Sequence, residues 1–390
     1  MPHAGIIESF FLIFAGATLI ATLALYTRQP MLVAYIAVGC LLGPAGTQWV
    51  ADQKLLSEIA EFGIIFLLFL VGLDLQPAKL KNMLGESLLT ALGTTIAFFG
   101  IGFAIMYLFG FTLLECAITG IAASFSSTIL GIKLLPTTAL HHRHIGEIVV
   151  SLLLIQDLLA ILAILVLNSL GSDTSALLTS LASIFLGLPV LGLIAYTVVR
   201  FVLLPLIARF DAFHEYIFLI AIGWCLSMAV LAATFGLSLE IGAFVGGVSL
   251  ATSPIAQYIA ESLRPLRDFF LVLFFFSVGA SLNLGLIPES WMAAVCLAVA
   301  LIAIKPLVFA WLLKVQGETV DSAWEVGFRL GQASEFSLLL SYIAIAGGLL
   351  GERAAVVLQF ATVLTLVISS YFVIFRYPSP IAPNPKLRRD

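Results

Sequence analysis

Long apolar segments recur along almost the whole chain and restrict its fold more than any other feature. A helix needs about 20 apolar residues to cross the hydrocarbon core of a bilayer. Backbone polar groups in lipid must also be satisfied within the protein, so the pattern predicts an all-α polytopic membrane protein. We place thirteen spans at about residues 5–26, 31–44, 58–76, 85–109, 112–135, 145–169, 176–208, 213–235, 238–251, 266–283, 290–314, 321–346 and 353–375.

The composition agrees with a chain that lies almost entirely in the bilayer. Charged residues make up 10% of the 390 residues and hydrophobic residues 61%, whereas a soluble domain has about 25% charged residues. The four cysteines lie in separate apolar segments without a C-x-x-C pair, so neither a disulfide framework nor a zinc site is predicted. The sequence shows no nucleophile–base pair. We therefore expect no enzymatic activity, no cofactor and no nucleic-acid partner.

The basic residues predict the orientation of the spans. Cytoplasmic loops of membrane proteins are enriched in Lys and Arg. With thirteen spans, one side of the membrane has only Lys54 and Arg353, and the other side has most of the basic residues. Lys305 and Arg329 fall within the membrane. We therefore predict a multi-pass protein of the cell inner membrane with the N-terminus outside and the C-terminus in the cytoplasm. The basic residues on the predicted cytoplasmic side are Arg28, Lys79, Lys81, Lys133, Arg143, Arg200, Arg209, Arg264, Arg267, Lys314, Arg376, Lys386, Arg388 and Arg389.

An internal repeat relates the two halves of the chain. A constant shift of 207 residues moves Val38-Gly39 onto Val245-Gly246, Glu61 onto Asp268, Gly120 onto Gly327 and Ser127 onto Ser334. The shift displaces each span by seven, an odd number, so the repeats are inverted. Inverted repeats are typical of secondary transporters with a site at the bilayer midplane. The predicted organisation is a single transport domain over 1–390, with repeat one at about 31–169, a linker helix at about 176–208, repeat two at about 238–375 and a short basic cytoplasmic tail at 376–390.

Two spans that correspond under the repeat, 112–135 and 321–346, are interrupted near their midpoints by poor helix formers. Unwound segments that cross at the midplane would present carbonyl groups and half-helix ends to a cation. The alternative is ordinary close packing of helices through small residues. The interruptions contain Ser126, Ser127 and Thr128 in the first span, and Arg329, Gln332, Ser334 and Glu335 in the second.

Two further polar positions lie at the same depth as these interruptions. Gln156 and Asp157 interrupt the apolar segment 145–169, and Lys305 interrupts 290–314. Ionisable residues inside a membrane are costly and mark ion or proton paths. We predict a cation- and proton-binding site formed by Asp157, Gln156, Ser126, Ser127 and Thr128. The residues predicted to support its charge and the crossing are Lys305, Glu335, Gln332, Ser334 and Arg329.

Alternatives remain for several of these residues. Asp157 and Lys305 could form a static ion pair, and Gln156 could have a simple packing role rather than supply a carbonyl ligand. An Arg329–Glu335 pair is a further hypothesis. The roles of Glu147, Glu240 and the cluster His141–His144 stay open.

Several motifs are distributed over nearly the whole membrane chain: Phe66–Lys79, Ser126–Thr128, Leu154–Asp157, Gly242–Phe244, Phe275–Gly279, Ile304-Lys305 and Leu330–Phe336. Together they resemble the monovalent cation:proton antiporter-2 superfamily, and Kef-type potassium/proton exchangers in particular. The resemblance implies a sodium/proton antiporter-like fold and a homodimer in which a core domain moves against a dimer domain. It also implies that Asp157 carries the exchange and that Lys305 supports the core. Kef proteins usually have a cytosolic regulatory domain, which we expect to be separate from this chain or truncated from it.

These observations favour an antiporter that exchanges a monovalent cation for H⁺, with Asp157 binding each in turn. K⁺ is favoured over Na⁺ by the resemblance alone, because selectivity depends on the geometry of the coordinating oxygens. One alternative is a sodium-coupled symporter of a small organic anion. Another is a channel-like cation pathway gated by the missing regulatory domain. The predicted crossing offers hydroxyls, amides and charges, which favour bare ions over an organic substrate.

Overall fold

The computed structural model is built from α-helices in the part of the chain that it describes. The described residues are 6–50, 53–74, 77–135, 144–170, 187–210, 213–251, 253 and 255–379. The helices are α1 (Ile6–Tyr26), α2 (Met31–Leu42), α3 (Gln53–Asp74), α4 (Pro77–Leu108), α5 (Leu113–Ser124), α6 (Thr128–Lys133), α7 (His144–Leu170), α8 (Leu188–Val198), α9 (Leu204–Arg209), α10 (His214–Thr234), α11 (Leu239–Ala251), α12 (Ala256–Ala280), α13 (Ile287–Val315), α14 (Val320–Arg329), α15 (Glu335–Ala346) and α16 (Glu352–Arg376).

The predicted interruptions of two spans are confirmed. Span 112–135 divides into α5 and α6, and span 321–346 divides into α14 and α15. We call residues 125–127 the first break and residues 330–334 the second break. Each of the other predicted spans also contains a helix among the described residues. α4 and α12 begin earlier than predicted, at Pro77 and Ala256, because a helix can continue through polar sequence beyond the apolar window.

The linker segment 176–208 lies within the described residues only from residue 187. There α8 continues through the π-helical turn Val199–Leu203 into α9. Pro205 lies in the first turn of α9, where its missing N–H is accommodated by the widened turn. The helix is therefore continuous from Leu188 to Arg209.

The protein is a multi-pass membrane protein. Among the described residues, seven helices are long and apolar enough to cross a membrane, and five further apolar helices are shorter. The two short halves of each broken span fall below this length, as does α2. The total of thirteen spans stays a prediction.

The chain divides into two compact units. The first consists of Met1–Ala51, Met83–Ile164 and Val278–Asp390, and within it α13 packs along α14 and α16. The second consists of Asp52–Asn82 and Leu165–Ser277, and within it α3 packs along α11. A Cβ atom at Gly72 or Gly247 would overlap a backbone carbonyl of the opposite helix, so glycine permits the close approach of α3 and α11.

Two backbone contacts in the first unit follow the internal repeat. A Cβ atom at Gly120 would lie 2.7 Å from the carbonyl oxygen of Phe99, and one at Gly327 would lie 2.6 Å from that of Pro306. The shift that takes Gly120 to Gly327 also takes Phe99 to Pro306. α5 on α4 and α14 on α13 therefore pack in the same way, with backbones in direct contact.

Candidate ion-binding site

The two broken spans are joined by hydrogen bonds inside the first unit. The Ser126 hydroxyl donates to the Leu330 carbonyl at 2.8 Å, and the Ser337 hydroxyl donates to the Ala122 carbonyl at 2.6 Å. Phe125 and Ser334 have extended backbone conformations, which end one helix half and begin another. Unwound backbone of this kind is tolerated at membrane depth because neighbouring side chains satisfy its polar groups.

Lys305 of α13 lies where the two breaks meet. Its ammonium group donates to the Phe125 carbonyl at 2.7 Å, to the Gln332 carbonyl at 2.9 Å and to the Ser126 hydroxyl at 3.4 Å. Its nitrogen also lies 5.0 Å from the centre of the Phe98 ring. The shift of 207 residues takes Phe125 to Gln332. Lys305 therefore bridges equivalent carbonyls of the two breaks.

These contacts bear on the alternative of a static Asp157–Lys305 ion pair. An ammonium group has three donors and no acceptor, and in the described part of the chain those donors go to two carbonyls and a hydroxyl. None of the ion pairs between described residues includes Lys305. The structure therefore gives Lys305 the role of tying the breaks together, in place of the suggested ion pair.

Asp157 of α7 is buried beside the first break. The Thr128 hydroxyl donates to its two carboxylate oxygens, at 3.0 Å and 3.2 Å. Thr128 is the first residue of α6, and the buried Ser127 hydroxyl accepts from the Leu130 amide at 3.1 Å in the same turn. The predicted neighbours Ser127 and Thr128 therefore lie in the turn that faces Asp157, with Thr128 in direct contact. A carboxylate and a hydroxyl are oxygen ligands of the kind that alkali cations accept.

Gln156 lies next to Asp157 but turns toward the backbone. Its side-chain oxygen accepts from the Ser126 amide at 3.1 Å, and the side chain is fully buried. In the structure this carbonyl holds the first break in place, because the break leaves the Ser126 amide without a helical acceptor. Its role as a cation ligand stays a prediction.

The second break is held by α16, a helix that contains none of the predicted site residues. The Ala333 amide donates to the Thr365 hydroxyl at 2.9 Å, and the Ser369 hydroxyl donates to the side-chain oxygen of Gln332 at 3.0 Å. The Gln332 amide donates to the Arg329 carbonyl at 2.9 Å. The Ser334 hydroxyl accepts from the Phe336 amide at 3.1 Å and so caps α15, of which Glu335 is the first residue.

The hypothesis of an Arg329–Glu335 pair is wrong. Arg329 is buried, and its guanidinium donates to Glu325 at 2.7 Å and 3.0 Å. α14 remains helical as far as Arg329, so Glu325 lies one turn earlier on the same face. The remaining donors reach the carbonyls of Leu134 and Pro378. Arg329 thus connects the end of α14 to the residues after α6 and α16.

The other described polar residues whose roles were left open lie in the first turns of α7 and α11. His144 is the only member of the cluster His141–His144 among the described residues, and its ring nitrogen lies 2.8 Å from Glu318. Glu147 is exposed on the same first turn of α7. Glu240 lies in the first turn of α11, where a carboxylate is favoured by the helix dipole.

A helical membrane protein in which two broken helices meet beside a buried carboxylate has the architecture of a secondary transporter. The chain belongs to the sodium/hydrogen exchanger family, whose transmembrane profile ("Sodium/hydrogen exchanger, transmembrane") matches residues 11–375. The predicted resemblance to Kef-type antiporters is confirmed by this match and by potassium-efflux relatives. Because these relatives are transporters, the expectation that the chain is not an enzyme is confirmed as well.

Two relatives illustrate the range of the family. The chain is 30% identical to K(+) efflux antiporter 4 of Arabidopsis thaliana over 87% of its own length and 58% of that protein. It is 28% identical to the iron transporter MagA of Paramagnetospirillum magneticum over 89% of its own length and 80% of that protein. The chain therefore spans little more than half the length of the potassium-efflux relative.

A solved structure with the same fold is the sodium proton antiporter MjNhaP1 from Methanocaldococcus jannaschii at pH 8. It superimposes with a TM-score of 0.70 over 94% of this chain and 95% of that chain, at 15% sequence identity. At that identity the likeness establishes the fold alone. The predicted sodium/proton antiporter-like fold is confirmed.

Proposed function

We propose that the protein is an antiporter that exchanges a monovalent cation, K⁺ in preference to Na⁺, for H⁺ across the cell inner membrane. The observation that carries the proposal is the buried Asp157 carboxylate bonded to Thr128 beside the first break. Family membership and the potassium-efflux relatives support the class of reaction. The orientation with the C-terminus in the cytoplasm, the homodimer and regulation by a cytosolic domain belong to the same proposal.

Asp157 can bind a proton or a cation, but not both. With the proton bound, the carboxyl group is neutral and the cation loses the negative charge of this ligand. With the proton released, the carboxylate and the Thr128 oxygen can coordinate a dehydrated cation. Alternating access then moves one cation for each proton, because the proposed mechanism uses a single carboxylate.

The charges around Asp157 favour a monovalent cargo. Asp157 supplies one negative charge and Thr128 a neutral hydroxyl, which together balance one positive charge. The Lys305 ammonium already neutralises the partial negative charge of the Phe125 and Gln332 carbonyls. A multivalent metal would leave uncompensated positive charge in a medium where such charge is costly.

The competition between proton and cation gives the test. We expect the apparent KM for K⁺ to rise about tenfold per pH unit below the pKa of the carboxylate, while the maximal rate changes little. By reciprocity, bound cation must then favour release of the proton. The measurement uses proteoliposomes with an internal pH dye, K⁺, Na⁺, Li⁺ or Rb⁺ added in turn, and an ionophore to clamp the voltage.

Each alternative gives a different result in the same assay. A channel would conduct the cation without moving the dye signal, and a symporter would need an organic solute before either ion moved. A KM that stays constant from about pH 5.5 to 8.5 would contradict a shared site at Asp157. Vesicles without protein and vesicles with Asp157→Asn give the baselines.

A further inference from the structure

An apolar groove runs along the first unit between α13, α14 and α16. Its volume is about 390 Å³. Its walls include Ala303, Pro306 and Leu307 of α13, Trp324 and Phe328 of α14, and Phe372 of α16, and all of its lining side chains are hydrophobic. The volume falls within the range of sites that bind small organic molecules.

The open side of the groove lies on a membrane-spanning surface. Ala303, Leu307 and Phe372 are exposed, and both α13 and α16 are long enough to cross the bilayer. The medium that meets this surface is lipid, so a hydrocarbon chain is the ligand that matches the lining. Hydrophobic lining alone does not select one lipid over another.

Two cations at one end of the groove provide that selection. Lys314 lies seven residues after Leu307, two turns later on the same face of α13. Arg376 lies one turn after Phe372 on α16, and its guanidinium carbon is 5.5 Å from the centre of the Phe328 ring. Both side chains are exposed. They lie at the ends of α13 and α16 that the distribution of basic residues predicts to be cytoplasmic, where anionic lipid headgroups attract Lys and Arg.

We propose that this groove binds an anionic phospholipid, with one acyl chain along Ala303, Pro306 and Phe328 and the phosphate between Lys314 and Arg376. The bound chain would cover the place where the backbones of α13 and α14 touch, at Pro306 and Gly327. Pro306 follows Lys305 directly in the chain. The lipid therefore supports the helix pair that places Lys305 between the breaks, and this site is independent of the ion that Asp157 binds.

Trp324 lines the groove and reports on its occupant. The full chain is reconstituted in vesicles of unlabelled phosphatidylcholine. Increasing fractions of a lipid with brominated acyl chains, either phosphatidylglycerol or phosphatidylcholine, are added, because bromine quenches the fluorescence of nearby tryptophan. The difference between the wild-type signal and that of Trp324→Phe isolates the contribution of Trp324. We expect brominated phosphatidylglycerol to quench this component at a roughly tenfold lower fraction than brominated phosphatidylcholine, because two basic residues contribute to binding.

Variants separate the groove from general surface charge. The double variant Lys314→Gln/Arg376→Gln is expected to abolish the preference for the anionic lipid, whereas Arg209→Gln should retain it. Arg209 is a matched control because it is also exposed and lies 5.9 Å from the centre of a phenylalanine ring. Ala303→Phe fills the groove and should weaken quenching by both lipids.

Three results would overturn the proposal: equal quenching by both lipids in the wild type, a preference that survives in the double variant, or unchanged quenching in Ala303→Phe. Melting curves in detergent check that each variant is folded. The two charge substitutions change only exposed side chains, so they decide the question even if Ala303→Phe does not fold.

Discussion

The two breaks share one plan of hydrogen bonding. Lys305 donates to the carbonyl of Phe125 in the first break and to that of Gln332 in the second. The next amide along each break, that of Ser126 or Ala333, donates to a side chain of a later helix. The shift of 207 residues takes Phe125 to Gln332 and Ser126 to Ala333. The repeat therefore extends from helix packing to individual hydrogen bonds.

The breaks differ in the side chains that complete them. The acceptor for the first is Gln156 of α7, and the acceptor for the second is Thr365 of α16. The repeat shift takes Asp157 to Leu364, so the first break has a carboxylate where the second has an apolar side chain. We infer that the repeat builds a symmetric scaffold and that Asp157 departs from this symmetry at the proposed ion site.

The largest expected effect on transport comes from replacing Asp157, the residue at which the two breaks differ. Asp157→Asn keeps the size of the side chain and its ability to accept from Thr128, but the side chain can no longer exchange a proton. We expect cation-driven proton movement in proteoliposomes to fall below about a tenth of the wild-type rate. The reason is that an asparagine side chain cannot take up and release the proton that the proposed exchange requires. The protein should remain folded.

Glu147→Gln is the matched control for this substitution. Glu147 is a carboxylate on the same helix, but it is exposed in the first turn of α7, far along the helix from Asp157. We expect near-normal exchange in this variant. Retained exchange in Asp157→Asn would mean that the asymmetry between the breaks is not the source of the ion site.

The next largest effect tests what the breaks have in common. Lys305→Ala removes the donor shared by the Phe125 and Gln332 carbonyls. A hydrogen bond to a charged group contributes about 1.5–3 kcal/mol, so loss of two should cost roughly 3–6 kcal/mol. Melting in detergent should fall sharply, whereas Arg209→Ala, at an exposed position on α9, should leave it nearly unchanged. An unchanged melting curve for Lys305→Ala would show that the breaks hold together without it.

Much of the fold could be predicted from the sequence. The lengths of the apolar segments place the helices, and runs of Gly, Ser and Thr mark both interruptions, because these residues are poor helix formers. The helix ends at Pro77 and Ala256 could not be predicted, since hydropathy marks where a segment meets lipid rather than where its helix begins.

The partners across the breaks could not be predicted in the same way. Serine and threonine in helices often bond carbonyls of their own helix, as Thr362 does with Leu358. Nothing in the local sequence distinguishes Thr362 from Thr365, which accepts from the second break. In the sequence, Arg329 could pair with either Glu325 or Glu335. The choice depends on where α14 ends, because Glu325 lies one turn before Arg329 only if the helix continues to Arg329. Asp157 could be found because an ionisable residue in an apolar segment is rare.

The smallest expected effect separates the scaffold from the site. Gln156→Leu and Thr365→Val each remove the acceptor of an equivalent buried amide, which should cost about 1–3 kcal/mol in either break. We expect similar falls in melting temperature. Thr362→Val is the matched control for Thr365→Val, because it removes a hydroxyl that bonds within its own helix.

Transport should respond to only one of the two substitutions. Gln156 fixes Ser126, two residues before the Thr128 that contacts Asp157, so Gln156→Leu should raise the KM for the cation and shift its pH dependence. Thr365→Val acts on the second break, which does not contain the predicted contact with Asp157. It should leave KM within about twofold of the wild type, well below the tenfold change that corresponds to about 1.4 kcal/mol. Equal shifts in KM from both variants would show that the two breaks act as one unit and that both shape the ion site, despite their different side chains.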